Sequence, residues 1–335
     1  MLHKVSEEHK AAWLMSVDCQ AKGVLDYMTE KGSLRDTQID ALGTYLYLKL
    51  ACDNKPLWRL FSEGDLLGHI DLNKLNINQE CRAFLQEHTA ARALFHFSRL
   101  PNGNDTLLPQ LAKIIVDEPE RLDYEKVIKN LFYNVSYADY LMSLPMGAGK
   151  TFLMAAIIYL DLYFALNEPD NPVFAHNFLV LVPSGLKSSI VPSLRTIESF
   201  DPSWVIPEPS ASHIKKLLNF EVLDVSKSAK KSNKARNPNA QKISQCLPNP
   251  FGRVFVVNAE KVILNRLDSK KQLDVFDKTE DEKDNQANEL RNLISKIPNM
   301  SLLIDEVHHA ATDDIKLRQV VNQWQEGGNI TTVLG

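Results

Sequence analysis

A chain of 335 residues is long enough for two domains, one of them an α/β domain with a full core. Its 44% hydrophobic and 24% charged residues are those of an ordinary soluble globular protein. The net charge of −4 excludes a uniformly basic nucleic-acid binder, so any DNA contact must come from local patches. Cys19, Cys52, Cys81 and Cys246 are scattered without metal spacing and fit reduced thiols in a cytoplasmic protein. No apolar run reaches the roughly 18 residues needed to span a bilayer. The opening Met1-Leu-His-Lys has no signal-like apolar core, and no internal repeat is visible.

Up to about residue 30, Ala11, Leu14, Met15 and Val17 suit an amphipathic helix, and Lys31-Gly32 breaks the helical pattern. Ser33, with Asp36 three residues on, has the form of a capping box. The helix it would cap begins at Leu34 and continues through Leu42, Tyr45, Leu46 and Leu48. Pro56-Leu-Trp-Arg-Leu-Phe61 starts another short helix. From about 65 to 135 the pattern is mostly helical, clearest over Glu80–Phe95, with a turn at Pro101-Asn-Gly103 and a short helix over Tyr124–Phe132. Residues 1–135 thus read as a helical N-terminal region, and 136–335 as an α/β domain.

Ala138–Leu144 is expected to be a strand that feeds Leu141-Met-Ser-Leu-Pro-Met-Gly-Ala-Gly-Lys-Thr151. A helix then starts near Lys150 and runs through Tyr159. Strand, Gly-containing turn and helix are what a phosphate-cradling loop needs. Gly147 and Gly149 allow backbone N–H groups to turn inward, with Ala148 between them. The helix N-terminus adds partial positive charge. Lys150 would reach the β- and γ-phosphates of ATP, and the Thr151 hydroxyl would ligate Mg²⁺. Leu144 stands where the general loop pattern has Gly, and the plain alternative is a Gly/Lys turn in some other α/β protein.

Further on, Phe178-Leu-Val-Leu-Val-Pro183 reads as a buried parallel strand ended by Pro183, and Ser203–Pro209 as a surface excursion. Phe220–Val225 alternates like a strand. Ser226–Lys242 carries six basic residues with no apolar period, so it reads as loop, either solvated or touching a DNA backbone. Gly252–Asn258 is another buried strand, Asp277–Asp284 a charged linker and Glu289–Ile294 a helix stopped by Pro298.

Ser301-Leu-Leu-Ile-Asp-Glu-Val-His-His309 is an apolar run ending in two acids and two histidines. Leu302, Leu303 and Ile304 suit a strand buried on both faces, which places Asp305 and Glu306 at its C-terminal end, where open α/β sheets bind ligands. Asp305 would hold Mg²⁺, and Glu306 would polarise the water that attacks the γ-phosphate. The alternative is a solvated turn with ordinary helix-start acids. A zinc site lacks the usual ligand spacing, and His308 more naturally joins the site to nearby loops by hydrogen bonds. Leu317–Trp324 reads as the following helix and Ile330–Leu334 as a last strand.

Leu-Pro-Met-Gly-Ala-Gly-Lys-Thr with Ile-Asp-Glu-Val-His-His resembles motifs I and II of superfamily 2 helicases and translocases, in the DExH branch. The nearest likeness is to the motor subunit of type III restriction enzymes and related phage-defence helicases. Leu144 is normal in that family, and Met146 and Ala148 depart from the usual Thr and Ser at positions that contribute mainly backbone. The resemblance implies a RecA-like parallel sheet flanked by helices, an ATP and Mg²⁺ site with Lys150, Asp305, Glu306 and His308 as catalytic residues, and double-stranded DNA as the track. A methyltransferase or other defence-system subunit is the implied partner. Leu34-Arg-Asp-Thr-Gln-Ile-Asp-Ala41, within 33–48, is similar to the family's Gln-containing stretch, in which Gln38 reads the adenine edge with Arg35 as a neighbour. Ser184, Gly185 and Lys187 match the loop that touches the nucleic-acid backbone, and Asn258 would line the nucleic-acid side.

Roughly a hundred residues separate the Gln stretch from the phosphate loop, more than in compact members, so 65–135 reads as a helical insertion, either a lid or a partner surface. In the family, Thr-Val-Leu-Gly is followed by a Ser-Ala-Thr motif and a second lobe. With Gly335 last, the chain reads as the front part of a larger motor that is very slow alone and does not unwind DNA. Absence of a charge-stabilising arginine costs about 10³–10⁵ in comparable phosphoryl transfers. Two other classes stay open: a P-loop kinase with a small-molecule acceptor, and a non-catalytic nucleotide-binding docking module. The separation of about 155 residues between Lys150 and Asp305 disfavours the first. The intact Lys150, Thr151, Asp305 and Glu306 disfavour the second.

Overall fold

The computed structural model describes residues 2–67, 71–144, 147–182, 190–223, 237–259, 262, 288–305 and 314–335. It divides into two compact units, Met1–Gln20 with Thr44–Ala138, and Ala21–Gly43 with Asp139–Gly335. The sequence had suggested a boundary at 135/136. In the structure the segment carrying Gln38 belongs to the same unit as Gly147, Gly149 and Lys150.

The first unit is helical: α1 (Leu2–Met15), α4 (Leu57–Glu63), α5 (Gln79–Glu87), α6 (Thr89–Ser98), α7 (Pro109–Asp117) and α8 (Tyr124–Leu131). A two-stranded antiparallel hairpin, β1 (Pro101–Asn102) and β2 (Asp105–Thr106), sits at the expected turn. Its core gathers Phe61, Leu85, Leu94, Phe95, Ile115 and Ile128, each at most 2% exposed. The helix expected over Glu80–Phe95 is in fact two, α5 and α6. His88 adopts an extended conformation (φ −112°, ψ 97°), and that break turns the chain so that both helices face one core.

The second unit opens with α2 (Lys22–Lys31), closed by left-handed Gly32, whose N–H bonds the Met28 carbonyl. Next comes α3 (Asp36–Leu46), which begins two residues later than the sequence suggested. The Arg35 carbonyl accepts the first helical bonds from Gln38 and Ile39, so Arg35 is the N-cap. Gln38 Oε1, at N3, accepts from the Arg35 N–H at 3.0 Å, the reach-back half of a capping box.

The rest of this unit is a parallel six-stranded sheet in the order β3-β8-β7-β4-β6-β5. The strands are β3 (Ala138–Tyr140), β4 (Asn177–Val182), β5 (Asn219–Val222), β6 (Arg253–Asn258), β7 (Met300–Ile304) and β8 (Ile330–Leu334). All six residues of β4 are buried, as are the first four of β7, which is why 178–182 and 302–304 within them read as apolar runs. β5, at one edge, is only partly buried. The strand expected over 138–144 is regular for only three residues. Beyond it the chain stays on the sheet through Met142 N–H bonding the Gly335 carbonyl at 2.8 Å.

The helices of this unit are α9 (Lys150–Asn167), α10 (Ile190–Ser199), α11 (Ser210–Leu217), α12 (Pro238–Cys246), α13 over 288–294, and α14 (Asp314–Gln325). Among the described residues only α9 is long and apolar enough to suggest a membrane span, yet two-thirds of it is buried in this unit, as befits a core helix apolar on all sides. The expectation of loop throughout Ser226–Lys242 fails at its end, where α12 begins. Asn237 caps it through the Asn239 N–H, Pro238 suits the first turn, and Ala240, Ile243 and Cys246 bury one face. Lys242 bonds the Val222 carbonyl at 2.8 Å. Residues 224–236, the rest of that basic run, lie outside the described residues. Arg318 on α14 pairs with Asp139 on β3 at 2.5 Å.

Candidate active site

A parallel sheet collects its strand ends at one edge, and the register here says which residues share it. Leu181 pairs with Ile304 and Val182 with Asn258. The Asp305 N–H bonds the Leu181 carbonyl at 2.9 Å, extending the ladder one residue beyond β7. Asn258, Val182 and Asp305 therefore stand level on three adjacent strands. On the other side of β7, β8 is inserted between it and β3. Two inter-strand spacings, roughly 10 Å, separate the acid-bearing strand from the phosphate-loop strand. That width accommodates a phosphate with a partly hydrated cation.

Gly147 (φ 75°) and Gly149 (φ 82°) both take the left-handed conformation that glycine tolerates best. Ala148 between them is buried at 7% exposure, with Gly149, Lys150 and Thr151 half-buried and Gly147 exposed. Gly149 is the N-cap of α9 and no side chain caps this end, so the leading N–H groups of the helix are disposed toward an anion. Lys150 and Asp305 line one cavity of about 260 Å³, together with Met142, Leu144, Met154 and Ile304 among others. Two residues about 155 positions apart in sequence thus line one cavity at one end of the sheet. Among the described residues no group of three His, Cys, Asp or Glu side chains could hold a metal.

The loop is tied down from α3. Arg35 Nη1 donates to the Gly147 carbonyl at 2.7 Å, and Gln38 Nε2 to the Gly149 carbonyl at a longer 3.4 Å. Gln38 is itself buried at 7% exposure. A Cβ built on Gly149 would stand 2.6 Å from Gln38 Nε2. Gly149→Ala is therefore expected to cost about 1–2 kcal/mol for the left-handed backbone and also to push the Gln38 amide aside. Thermal melts of Gly149→Ala, Gln38→Ala and the double variant test this. The double variant should be more stable than the sum of the two single losses predicts, and strict additivity would refute the contact.

Glu306 and His308, and likewise Ser184, Gly185 and Lys187, lie outside the described residues. Asn258 is half-buried at the end of β6, on the same sheet edge as Asp305. The sequence reading did not single out Phe152 and Trp204. Their rings stack beside the loop, and the only sequence signal was an aromatic residue directly after Thr151.

The family model described as type III restriction enzyme, res subunit, matches residues 120–330. A search of curated proteins and a search of solved structures each returned no match. With that model covering well over half of the chain, and a Gly-containing turn and a strand-end acid at one edge of a parallel sheet, the chain belongs to the type III restriction enzyme res subunit family, as a superfamily 2 motor domain.

Proposed function

We propose that this chain is the ATP-binding lobe of a motor that hydrolyses ATP to move on double-stranded DNA, in a restriction or phage-defence system. The observation that carries the reading is the shared cavity of Lys150 and Asp305 at the C-terminal edge of the sheet. The family is one of ATP-dependent helicase-type motors, which supports the same reading. In this proposal the N–H groups of Gly147, Ala148 and Gly149 cradle the phosphates while Lys150 neutralises the β- and γ-phosphates. Thr151 and Asp305 offer the hard oxygen donors that suit Mg²⁺, which supplies charge neutralisation on the phosphates. Glu306 orients and polarises the attacking water, and His308 links the site to neighbouring loops.

Gln38 is suited to the adenine edge by a count of its hydrogen-bonding groups. A Gln amide has two N–H donors and two acceptor lone pairs. One acceptor serves Arg35 and one donor serves Gly149, so one of each is left over. A donor and an acceptor side by side are what adenine N7 and N6–H require. In this proposal Gln38 reads the base while it keeps its bond to the loop. Residues Ala21–Gly43 would accordingly work with 136–335 as one ATPase domain, and the insertion over 65–135 would be a separate lid or partner surface. On the nucleic-acid side the candidates are Ser184, Gly185, Lys187 and Asn258, and a methyltransferase is the proposed partner.

ATP hydrolysis with and without duplex DNA tests the reading. Stimulation by duplex DNA is the expected result. ATP consumption that depends instead on a small acceptor, with the γ-phosphoryl group recovered on that acceptor, would transfer the site to a kinase.

A further inference from the structure

Phe152 directly follows Thr151 and is 36% exposed, a large apolar surface at the mouth of a phosphate loop. Its ring is nearly parallel to that of Trp204, at 5.9 Å between centroids and 8° between planes, and tilted against Phe200 at 6.3 Å. Phe200 is 1% exposed and stacks in turn on Tyr159 at 5.7 Å. Burial pushes the Tyr159 phenol up to about 12, so the base of this stack is neutral and apolar. Trp204 sits in the 3₁₀ turn Pro202–Trp204, which Asp201 caps through the Ser203 N–H. Tyr27 on α2 donates to the Ser203 carbonyl at 2.7 Å, fixing the same turn from a second element. Phe152 is thus held against an anchored stack while it remains 36% exposed.

The position of that ring relative to Gln38 gives it a use. The point where a Gly149 Cβ would stand lies 3.8 Å from Phe152 Cδ2 and 2.6 Å from Gln38 Nε2. An aromatic ring and a planar amide with one donor and one acceptor to spare therefore flank one backbone position at the head of α9. A flat base wants both: a π-surface to lie against and groups that bond its edge. We propose that Phe152, backed by Trp204, is the wall on which the purine ring of the nucleotide stacks, so that ring and amide together set base affinity at this site. The proposal rests on the ATP-site reading above, and its test keeps the two separable.

The test compares ATP with inorganic tripolyphosphate, which offers the same phosphates and no base, by calorimetric titration of the full 335-residue chain with Mg²⁺ present. Phe152→Ala should weaken ATP by roughly 10-fold, within the range that alanine substitution gives for stacked bases, and tripolyphosphate by less than about 2-fold. Phe152→Tyr, which keeps the ring, should hold ATP within about 2-fold. Should Phe152→Ala fail to fold, Phe152→Leu keeps apolar cover over Trp204 without a π-face and should give the same split. Tryptophan emission should change with ATP but not with tripolyphosphate, and Trp204→Phe should remove that change. Equal weakening of both ligands, or of neither, would reduce Phe152 to core cover and overturn the proposal. Wild-type chain that binds tripolyphosphate and ATP equally would overturn it too, leaving the phosphate site standing. Wild-type chain that binds neither ligand would remove both readings.

Discussion

Glu306→Gln is expected to leave ATP binding intact and to remove nearly all hydrolysis. Glu306 follows Asp305, whose backbone N–H is the last ladder bond at the end of β7, beside the cavity shared with Lys150. In phosphoryl transfer most of the work is positioning and charge neutralisation, and the remaining task is to activate water. A Gln side chain has the size of Glu and still hydrogen-bonds, but it cannot serve as the base. A positioned acid–base group contributes about 10²–10⁴ in rate, so turnover should fall by that factor. Single-turnover hydrolysis with protein in excess over labelled ATP resolves slow rates. Titration of the same variant should give an affinity within about 3-fold of wild type, since uniform binding is untouched. Unchanged turnover would remove Glu306 from its catalytic role. Loss of binding in step with turnover would make it a structural residue instead.

The second large effect is on binding. Lys150→Ala should lower ATP affinity by about 10²–10⁴, because two charge-assisted hydrogen bonds to phosphate, at about 1.5–3 kcal/mol each, are lost. The loss should be smaller for AMP, which lacks the β- and γ-phosphates that Lys150 is proposed to hold. The fold should survive: Lys150 is half-buried at the first position of α9, and Ala has the highest helix propensity. A circular dichroism spectrum and melting temperature close to wild type would establish that. An ATP affinity unchanged by the substitution would end the phosphate-loop interpretation, whatever the fate of the other residues.

Both expectations come from stretches that stood out in the sequence. Strands buried on both faces leave unbroken apolar runs, so β4, β6 and β7 were legible at 178–183, 252–258 and 301–304. Gly147, Gly149 and the helix start at Lys150 were legible because left-handed turns and helix starts each restrict residue type locally. The helix starts and breaks were less legible. α3 begins at Asp36 because Gln38 reaches back to Arg35, and nothing in the run from Ser33 favoured that cap over the Ser33–Asp36 pair. The pattern over Glu80–Phe95 was helical on both sides of His88, and the break there follows from how α5 and α6 meet one core. α12 was hidden because its apolar face is three residues wide at the end of a polar, basic run.

By itself, then, the sequence determined the α/β class, a Gly-containing turn between strand and helix, the acid at a strand end and the family these belong to. These depend on residue types within a few positions of one another. Only the tertiary structure decided that β8 lies between β3 and β7, that Lys150 and Asp305 line one cavity, and that Gln38 bonds a carbonyl 111 residues away. It alone set Phe152 against Trp204. The reason is physical: strand order and side-chain partnership depend on packing between distant segments, and local periodicity carries no record of which segments those are.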